Sequence, residues 1–121
     1  IKLNLRIEIP QKHRFNDADI CVILGNCLDN SIEAVCKLDD VSKREVNVDL
    51  VYRKKGLLIR ISNPFSGDIK KDTNGNLVTT KADKESHGMG LCSVKNAVSK
   101  YNGAMNISTD NSMFKVQILL Y

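Results

Sequence analysis

The chain has 121 residues, of which 42% are hydrophobic and 26% charged, and its formal net charge at pH 7 is +4. This length fits one domain with one hydrophobic core. It contains no run of about 18 apolar residues that would span a membrane. Basic and acidic residues are interleaved, and the densest basic run, Arg53 to Lys55, falls at a predicted turn. The composition therefore does not favour a nucleic-acid-binding protein.

The cysteines indicate the setting of the chain. They form no CxxC pair and have no matching histidine cluster, which argues against a zinc site. Three of them fall on one predicted helix, where we expect them to be small apolar core residues. We also expect the protein to reside in a reducing compartment. No signal peptide is visible at Ile1, and we expect a piece of a longer protein. The four are Cys21, Cys27, Cys36 and Cys92.

The first predicted elements are a strand and a helix. Residues 1–9 alternate apolar and polar, which predicts a half-buried strand that ends at Pro10. Asn16 or Asp17 can cap a helix that runs from about Asp17 to Leu38. The apolar face of the strand comprises Ile1, Leu3, Leu5, Ile7 and Ile9.

A strand hairpin and a long irregular segment follow. Residues 46–52 alternate again, Lys54 to Gly56 form a turn, and Leu57 to Ser62 form the returning strand. Residues 63–87 show no periodicity and form a segment longer than most loops, which is typical of functional lids or disordered segments.

The last predicted elements are a helix from about Met89 to Lys100 and a hairpin of residues 104–108 and 113–120. Asn102-Gly103 is a helix-ending signal. The order of elements predicts an α+β fold, a two-layer sandwich with a mixed sheet of about five strands and helices on one face.

Two asparagines mark the first helix. At about 100° per residue, a polar stripe about 60° wide contains Asn26, Asn30, Glu33 and Lys37. A solvated face would explain this stripe. Asparagine, however, is a poor helix-interior residue, and its amide oxygen is a neutral ligand for Mg²⁺. The opposite arc should pack on the sheet; it comprises Cys21, Leu24, Leu28, Ile32 and Val35.

A glycine-rich segment precedes the second helix. Gly88 and Gly90 flank Met89, and glycines allow close backbone approach. The free N–H groups of a helix's first turn favour an anion. A lone GxG is weak evidence for a phosphate site, so its context decides.

These segments together resemble a known superfamily. Leu24–Ala34 is similar to the N-box of sensor histidine kinases, and Gly88–Lys95 resembles their second glycine box. With a strand hairpin between them, residues 1–121 resemble the ATP-binding catalytic domain of the gyrase, chaperone, histidine-kinase and mismatch-repair (GHKL) superfamily. Asn63-Pro64 after the hairpin is similar to the quorum-sensing and citrate-sensor-like branch. The resemblance implies the Bergerat fold, with ATP and Mg²⁺ as cofactors.

The resemblance also implies roles for individual residues. Asn30 would bind Mg²⁺. Asn26 would be a catalytic and nucleotide-binding residue where gyrase-type relatives carry a water-activating glutamate, which implies that hydrolysis is suppressed. Asn63 would replace the aspartate that binds adenine, although a simple turn opener is the alternative. A lid of about residues 64–87 would close over the nucleotide. The remaining cofactor-binding positions would be Gly67, Gly88, Met89, Gly90 and Leu91.

The resemblance implies partners as well. The domain would supply the γ-phosphoryl group of ATP to a histidine on a dimerisation domain of the same protein, with a response regulator downstream and no nucleic acid. His13 and His87 do not fit a phosphoacceptor, so this fragment should be monomeric and should not autophosphorylate alone. It would be a cytoplasmic domain of a membrane-anchored receptor kinase. A serine-kinase anti-sigma factor, a stand-alone ATPase, or a degenerate non-catalytic nucleotide-binding or docking module are the alternatives. Glu33, where many members carry Lys or Arg, favours the degenerate module.

Overall fold

The structure, a computed structural model, describes residues 1–65, 81–110 and 112–121, with the side chains of 81–90 outside the description. Five strands form one mixed sheet in the order β1-β2-β3-β5-β4. β1 pairs parallel to β2, and the other neighbours are antiparallel. The elements are β1 (Lys2–Glu8), α1 (Asp17–Cys36), a 3₁₀ turn (Val41–Lys43), β2 (Glu45–Arg53), β3 (Gly56–Pro64), α2 (Lys81–Lys100), β4 (Ala104–Asp110) and β5 (Met113–Leu120).

Both helices cover the same face of the sheet. α1 packs on β2 and β3, and α2 packs on β4 and β5. Alternate strand residues fill the layer between helices and sheet, as the period of two requires. The predicted α+β sandwich is confirmed. Neither described helix is long and apolar enough to cross a membrane. The most buried hydrophobic residues of the strands are Val46, Leu57, Ile59, Ile61, Ile118 and Leu120.

Topology makes the two helices antiparallel. α1 connects two parallel strands, so it runs against β1 and β2. β4 is antiparallel to β5, and β5 is antiparallel to β3, so β4 runs parallel to β3. α2 connects β3 to β4 and therefore runs against both. Because β3 is antiparallel to β2, α1 and α2 point in opposite directions.

A polar contact joins the start of α1 to the end of α2. The Tyr101 hydroxyl donates to Asp19 Oδ2 at 2.5 Å and accepts from the Asn16 backbone N–H at 3.0 Å. Lys100 Nζ lies 3.1 Å from Asp19 Oδ1. Tyr101, followed by Lys100, lowers the pKa of Asp19, whereas burial and the Asp19 hydrogen bond raise the pKa of Tyr101. This contact fixes the relative position of the two helices at one end.

The buried face of α1 differs from the predicted one. Leu24 and Leu28 are only half-buried, and Cys21 and Ile32 are exposed. At about 100° per residue, the observed face is rotated by roughly 80° from the expected one. The cause is that α1 packs against α2 as well as against the sheet. The residues buried in α1 are Ile20, Ile23, Cys27, Ser31 and Val35.

The cysteine prediction is correct only for Cys27. Cys27 is buried, and burial raises the pKa of its thiol to about 11. Cys21 and Cys36, expected in the core of the same helix, are exposed. The rotation of α1 toward α2 accounts for both differences, because Cys21 and Cys36 lie on the side of the helix that faces away from α2.

The first strand also differs from expectation. Its predicted apolar face is largely exposed: Leu3 is 52% exposed, and Leu5 and Ile7 are each 58% exposed. The register aligns Leu3, Leu5 and Ile7 with the buried Val46, Val48 and Leu50 of β2, so both sets point to the helix side of the sheet. β1 is an edge strand, and the helices pack on its neighbours in the sheet, so these side chains stay largely exposed.

The second helix begins earlier than predicted. α2 starts at Lys81, not near Met89, so Gly88 and Gly90 lie inside a helix. Residues 81–85 include Ala, Lys and Glu, which are strong helix formers, and each glycine costs only about 1 kcal/mol relative to Ala. The predicted lid of residues 64–87 overlaps β3 at Pro64 and α2 from Lys81, and its residues 66–80 lie outside the described part of the chain.

The predicted caps and turns are confirmed. The Asn16 side chain accepts a hydrogen bond from the Ala18 N–H at the start of α1. At the end of α2, the Gly103 N–H donates to the Val98 carbonyl at 3.0 Å and the Asn102 N–H to that of Ser99 at 3.1 Å. This is a Schellman motif, with Asn102 at a φ of 52°. Lys54 and Lys55 also have positive φ, as a two-residue hairpin turn requires.

The helix contact can be tested with Tyr101→Phe. The variant loses the hydroxyl that donates to Asp19, and we expect its Tm at pH 7 to fall by a few degrees. Because the pKa of Asp19 is lowered on folding, its contribution is present above the ordinary Asp pKa near 4 and is lost as pH falls through the lowered value. The difference in Tm between Tyr101→Phe and the parent protein should therefore become smaller as the pH falls below about 4. Thermal melts across this pH range measure it.

Tyr121→Phe is the matched control, because Tyr121 is exposed at the end of the chain. It should melt like the parent at every pH. Equal melting of Tyr101→Phe and the parent at pH 7 would show that the contact contributes nothing to stability.

Two glycines should respond in opposite ways to alanine. A Cβ at Gly103 would lie 2.4 Å from the Leu119 backbone oxygen and 3.1 Å from a Val98 methyl, so Gly103→Ala should cost about 1–3 kcal/mol. A Cβ at Gly25, inside α1, would meet nothing within 4 Å. Gly25→Ala should therefore stabilise by up to about 1 kcal/mol. Urea unfolding of both variants measures the free energies, and a neutral Gly103→Ala would contradict the packing described.

Candidate functional site

Asn63 is the most buried polar residue of the candidate site. It lies within β3, paired with Phe114 of β5, and is 0% exposed. The alternative that Asn63 opens a turn is therefore wrong. Asn63 alternates in the strand with the same set as Ile59 and Ile61, so its side chain lies on the face of the sheet that the helices cover. Burial of an amide in this layer is costly unless its polar atoms find partners.

The hydrogen bonds of Asn63 are only half satisfied. Its Nδ2 donates to the Pro64 carbonyl at 2.9 Å. Its Oδ1 is buried and accepts no hydrogen bond from the described residues. The bond to Pro64 uses one of the two Nδ2 hydrogens and orients the amide, so that Oδ1 is the atom left without a partner. A buried acceptor without a partner is uncommon in folded proteins and requires an explanation.

The two asparagines of α1 lie on the side of this helix that faces α2. Asp19, Asn26 and Asn30 are spaced by seven and four residues, so they share one helix face. Asp19 contacts Tyr101 and Lys100, which places that face beside α2. Asn26 and Asn30 are half-buried, and the amide of Asn26 donates to the Val22 carbonyl at 2.8 Å. Among the described residues, Asn30 makes no hydrogen bond through its side chain.

The antiparallel helices bring the asparagine and glycine segments to the same level. From the Asp19–Tyr101 contact, the same eleven-residue step leads to Asn30 along α1 and back to Gly90 along α2. Each residue advances about 1.5 Å along either helix, so the two positions lie side by side. β3 runs parallel to α1, and Asn63 near its end lies at that same end of the molecule. The topology therefore brings Asn26, Asn30, Gly90 and Asn63 toward one region.

The family of the chain can now be stated. A family model described as "GHKL domain" matches residues 15–121. The chain belongs to the GHKL domain family. No curated protein sequence matches it.

Solved structures show the same fold in histidine kinases. This GHKL domain is similar to the histidine kinase domain of the Erythrobacter litoralis EL346 blue-light activated kinase, with TM-score 0.68 and 14% identity over 98% of this chain and 53% of that one. It also resembles the histidine kinase AdeS of Acinetobacter baumannii, with TM-score 0.63 and 16% identity over 98% of this chain and 54% of that one. A third similar structure is the mycobacterial sensor histidine kinase MprB, with TM-score 0.61 and 16% identity over 98% of this chain and 80% of that one. At these identities the likeness establishes the fold. The chain spans about half the length of the first two.

Several predicted positions of the GHKL domain stay predictions. Gly67 lies outside the described residues, as do the side chains at 88–90. Gly88, Met89 and Gly90 are helical in the structure, so their N–H groups are not the free amides of a helix's first turn. Leu91 is half-buried on α2.

The asparagine side chains of this region can serve as neutral ligands. Asn26, Asn30 and Asn63 are all neutral amides, so they do not repel a polyanion. The described residues contain no group of three His, Cys, Asp or Glu that could hold a metal ion. A magnesium ion here would take its oxygen ligands from Asn30, from phosphates and from water, as is common for Mg²⁺.

Sequence reasoning missed the residue that orients Asn63. The Pro64 carbonyl accepts from the Asn63 amide and thereby fixes which end of that amide is free. A backbone carbonyl carries no sequence signal, and only the fact that proline lacks an N–H hints that this strand end is irregular.

Proposed function

We propose that this GHKL domain binds Mg-ATP between α1, α2 and the end of β3, and supplies the γ-phosphoryl group for histidine autophosphorylation in a two-component sensor kinase. The observation that carries the proposal is the fully buried Asn63, whose Oδ1 accepts no hydrogen bond from the described residues. Family membership and the convergence of Asn26 and Asn30 on the same region support it.

The orphaned acceptor suits adenine. A 6-amino purine presents an N–H donor that Asn63 Oδ1 would accept. A 6-oxo purine such as hypoxanthine presents a carbonyl there, and two acceptors would face each other. Leaving a buried acceptor unpaired costs roughly 1–3 kcal/mol, which nucleotide binding would recover. Turning the amide over to suit a 6-oxo purine would break the bond from Nδ2 to the Pro64 carbonyl and set Oδ1 against that carbonyl oxygen.

The phosphates would lie toward the helices. Asn30 supplies a neutral oxygen ligand to Mg²⁺, and the metal supplies charge neutralisation for the β- and γ-phosphates. Asn26 cannot act as a general base, because an amide does not accept a proton at neutral pH. Its amide is also turned back onto the Val22 carbonyl. Both features favour positioning of the nucleotide over activation of water, as suits a kinase.

The phosphoacceptor would come from outside this domain. Among the described residues, His13 is the only histidine whose side chain is defined; its Nδ1 accepts from the Phe15 N–H and its Nε2 lies 3.4 Å from Asp17. It lies on a loop, occupied by local contacts. We propose a histidine-bearing dimerisation domain in the same protein, a downstream response regulator, a cytoplasmic location beneath a membrane receptor, and membership of the quorum-sensing and citrate-sensor-like branch.

The proposal is tested by calorimetric titration of Mg-ATP into the parent protein and into Asn63→Ala and Asn30→Ala. We expect Asn63→Ala to weaken ATP binding about tenfold or more and to reduce the preference for ATP over inosine triphosphate. Asn30→Ala should weaken Mg-ATP but change metal-free ATP little. At 100 times its dissociation constant, ATP should add about 2.7 kcal/mol of stability to the parent protein.

Asn106→Ala is the matched control, because Asn106 is exposed on the edge strand β4, whereas Asn63 is buried on the central strand β3. It should bind like the parent. No binding of millimolar ATP to the parent would instead assign the degenerate docking module. Equal affinity of Asn63→Ala and the parent would place the adenine elsewhere.

A further inference from the structure

The outer edge of β1 is open, and its charged side chains, Lys2, Arg6 and Glu8, lie on the face of the sheet away from the helices. β1 is the edge strand of the sheet, and it contains no proline, no glycine and no bulge over Lys2–Glu8. Three of its apolar side chains are more than half exposed, namely Leu3, Leu5 and Ile7. Proteins usually shield such an edge with a bulge, proline or inward charge, because its free backbone groups pair readily with another strand.

The free backbone groups belong to the odd-numbered residues. The Lys2 N–H donates to the Arg44 carbonyl on the β2 side. Successive residues of a strand direct these groups to opposite edges, so the N–H and C=O of Leu3, Leu5 and Ile7 point away from β2. The apolar residues are therefore also the ones that can extend the sheet.

The sequence of β1 is self-complementary about Leu5. In an antiparallel pair of two β1 strands centred there, Leu5 faces Leu5 of the other copy and Leu3 faces Ile7. On the opposite face of the sheet, Lys2 faces Glu8 twice, so each end of the pair carries opposite charges. Apolar and opposite-charge cross-strand pairs both stabilise a sheet.

The neighbouring registers are less favourable. A pair centred on Asn4 sets Lys2 against Arg6, and a pair centred on Arg6 sets Arg6 against itself. Like charges directly opposite destabilise a strand pair. Among the described residues, Lys2 makes no ion pair, whereas Glu8 lies 3.3 Å from Arg6 and 3.5 Å from Arg53. In the register centred on Leu5, Lys2 gains Glu8 of the other copy as an ion-pair partner. That Glu8 already lies near Arg6 and Arg53 of its own chain.

We propose that two copies of this chain pair through β1, antiparallel and centred on Leu5, to form a continuous ten-stranded sheet. Each copy contributes the same strand, which is the geometry of a two-fold symmetric interface. The site residues lie on the α2 side of α1, away from β1, so the pairing leaves that region open. The inference does not depend on nucleotide binding, and it replaces the expectation of a monomer.

A charge-swap series tests the pairing by sedimentation equilibrium at low salt, with protein up to about 1 mM to reach a weak dissociation constant. Lys2→Glu sets two pairs of carboxylates opposite each other and should weaken the dimer about tenfold. The double variant Lys2→Glu/Glu8→Lys restores opposite charges and should return the constant to within about threefold of the parent value. A parent protein that stays monomeric, or a double variant as weak as the single one, overturns the proposal.

A cross-linking test reads the register itself. In a background with Cys21, Cys36 and Cys92 changed to Ser, Leu5→Cys should form a disulfide-linked dimer on oxidation, because the two positions face each other at a Cα separation of about 5.5 Å. Leu3→Cys is the matched control: its two copies would lie roughly 13 Å apart, beyond disulfide reach. Equal linkage of both variants would show pairing in another register or random collision, and would overturn the proposal.

Discussion

The antiparallel packing of α1 against α2 is the constraint on which the rest of the domain depends. Topology imposes the direction, because α1 connects the parallel strands β1 and β2, α2 connects β3 and β4, which also run the same way, and the second pair runs opposite to the first. The contact of Tyr101 with Asp19 then fixes the helices at one end. Once that end is fixed, Asn30 and Gly90 must lie at one level, and the end of β3 must lie beneath them. Residues that are 60 positions apart in the chain are brought together by secondary-structure geometry alone.

The secondary-structure elements were predicted from the sequence better than the burial of their side chains was. Strand alternation, the Asn16 cap and the Asn102-Gly103 helix end are local signals, and local physics fixed their outcome. Burial of Leu3 or Ile32 depends on which neighbours cover them, and the apolar pattern alone does not contain this information. The start of α2 was missed for a related reason. Two glycines and a charged segment are typical of a loop, yet helix-forming residues before them continue the helix across both.

The candidate site shows the same division. Helical spacing alone places Asn26 and Asn30 on one face, so that part was predictable. The burial of Asn63 was not, because Asn-Pro after a strand is typical of a turn, and here the strand pairing with Phe114 and Met113 continues through both residues. The free acceptor on Asn63 depends on a backbone carbonyl, which no residue pattern records.

The choice of an amide at this buried position has an energetic consequence. A carboxylate at 0% exposure with no partner would be far costlier to bury than an amide, and it would raise its own pKa and take up a proton. The Asn63 amide already satisfies its Nδ2 end through Pro64, so only its Oδ1 end is left without a partner among the described residues. It gives up the stronger hydrogen bond that a charged acceptor would offer a base. In return, the acceptor has the same charge and the same orientation at every physiological pH. Under the proposed function, recognition of the base at this position would therefore be set by the geometry of the strand rather than by titration.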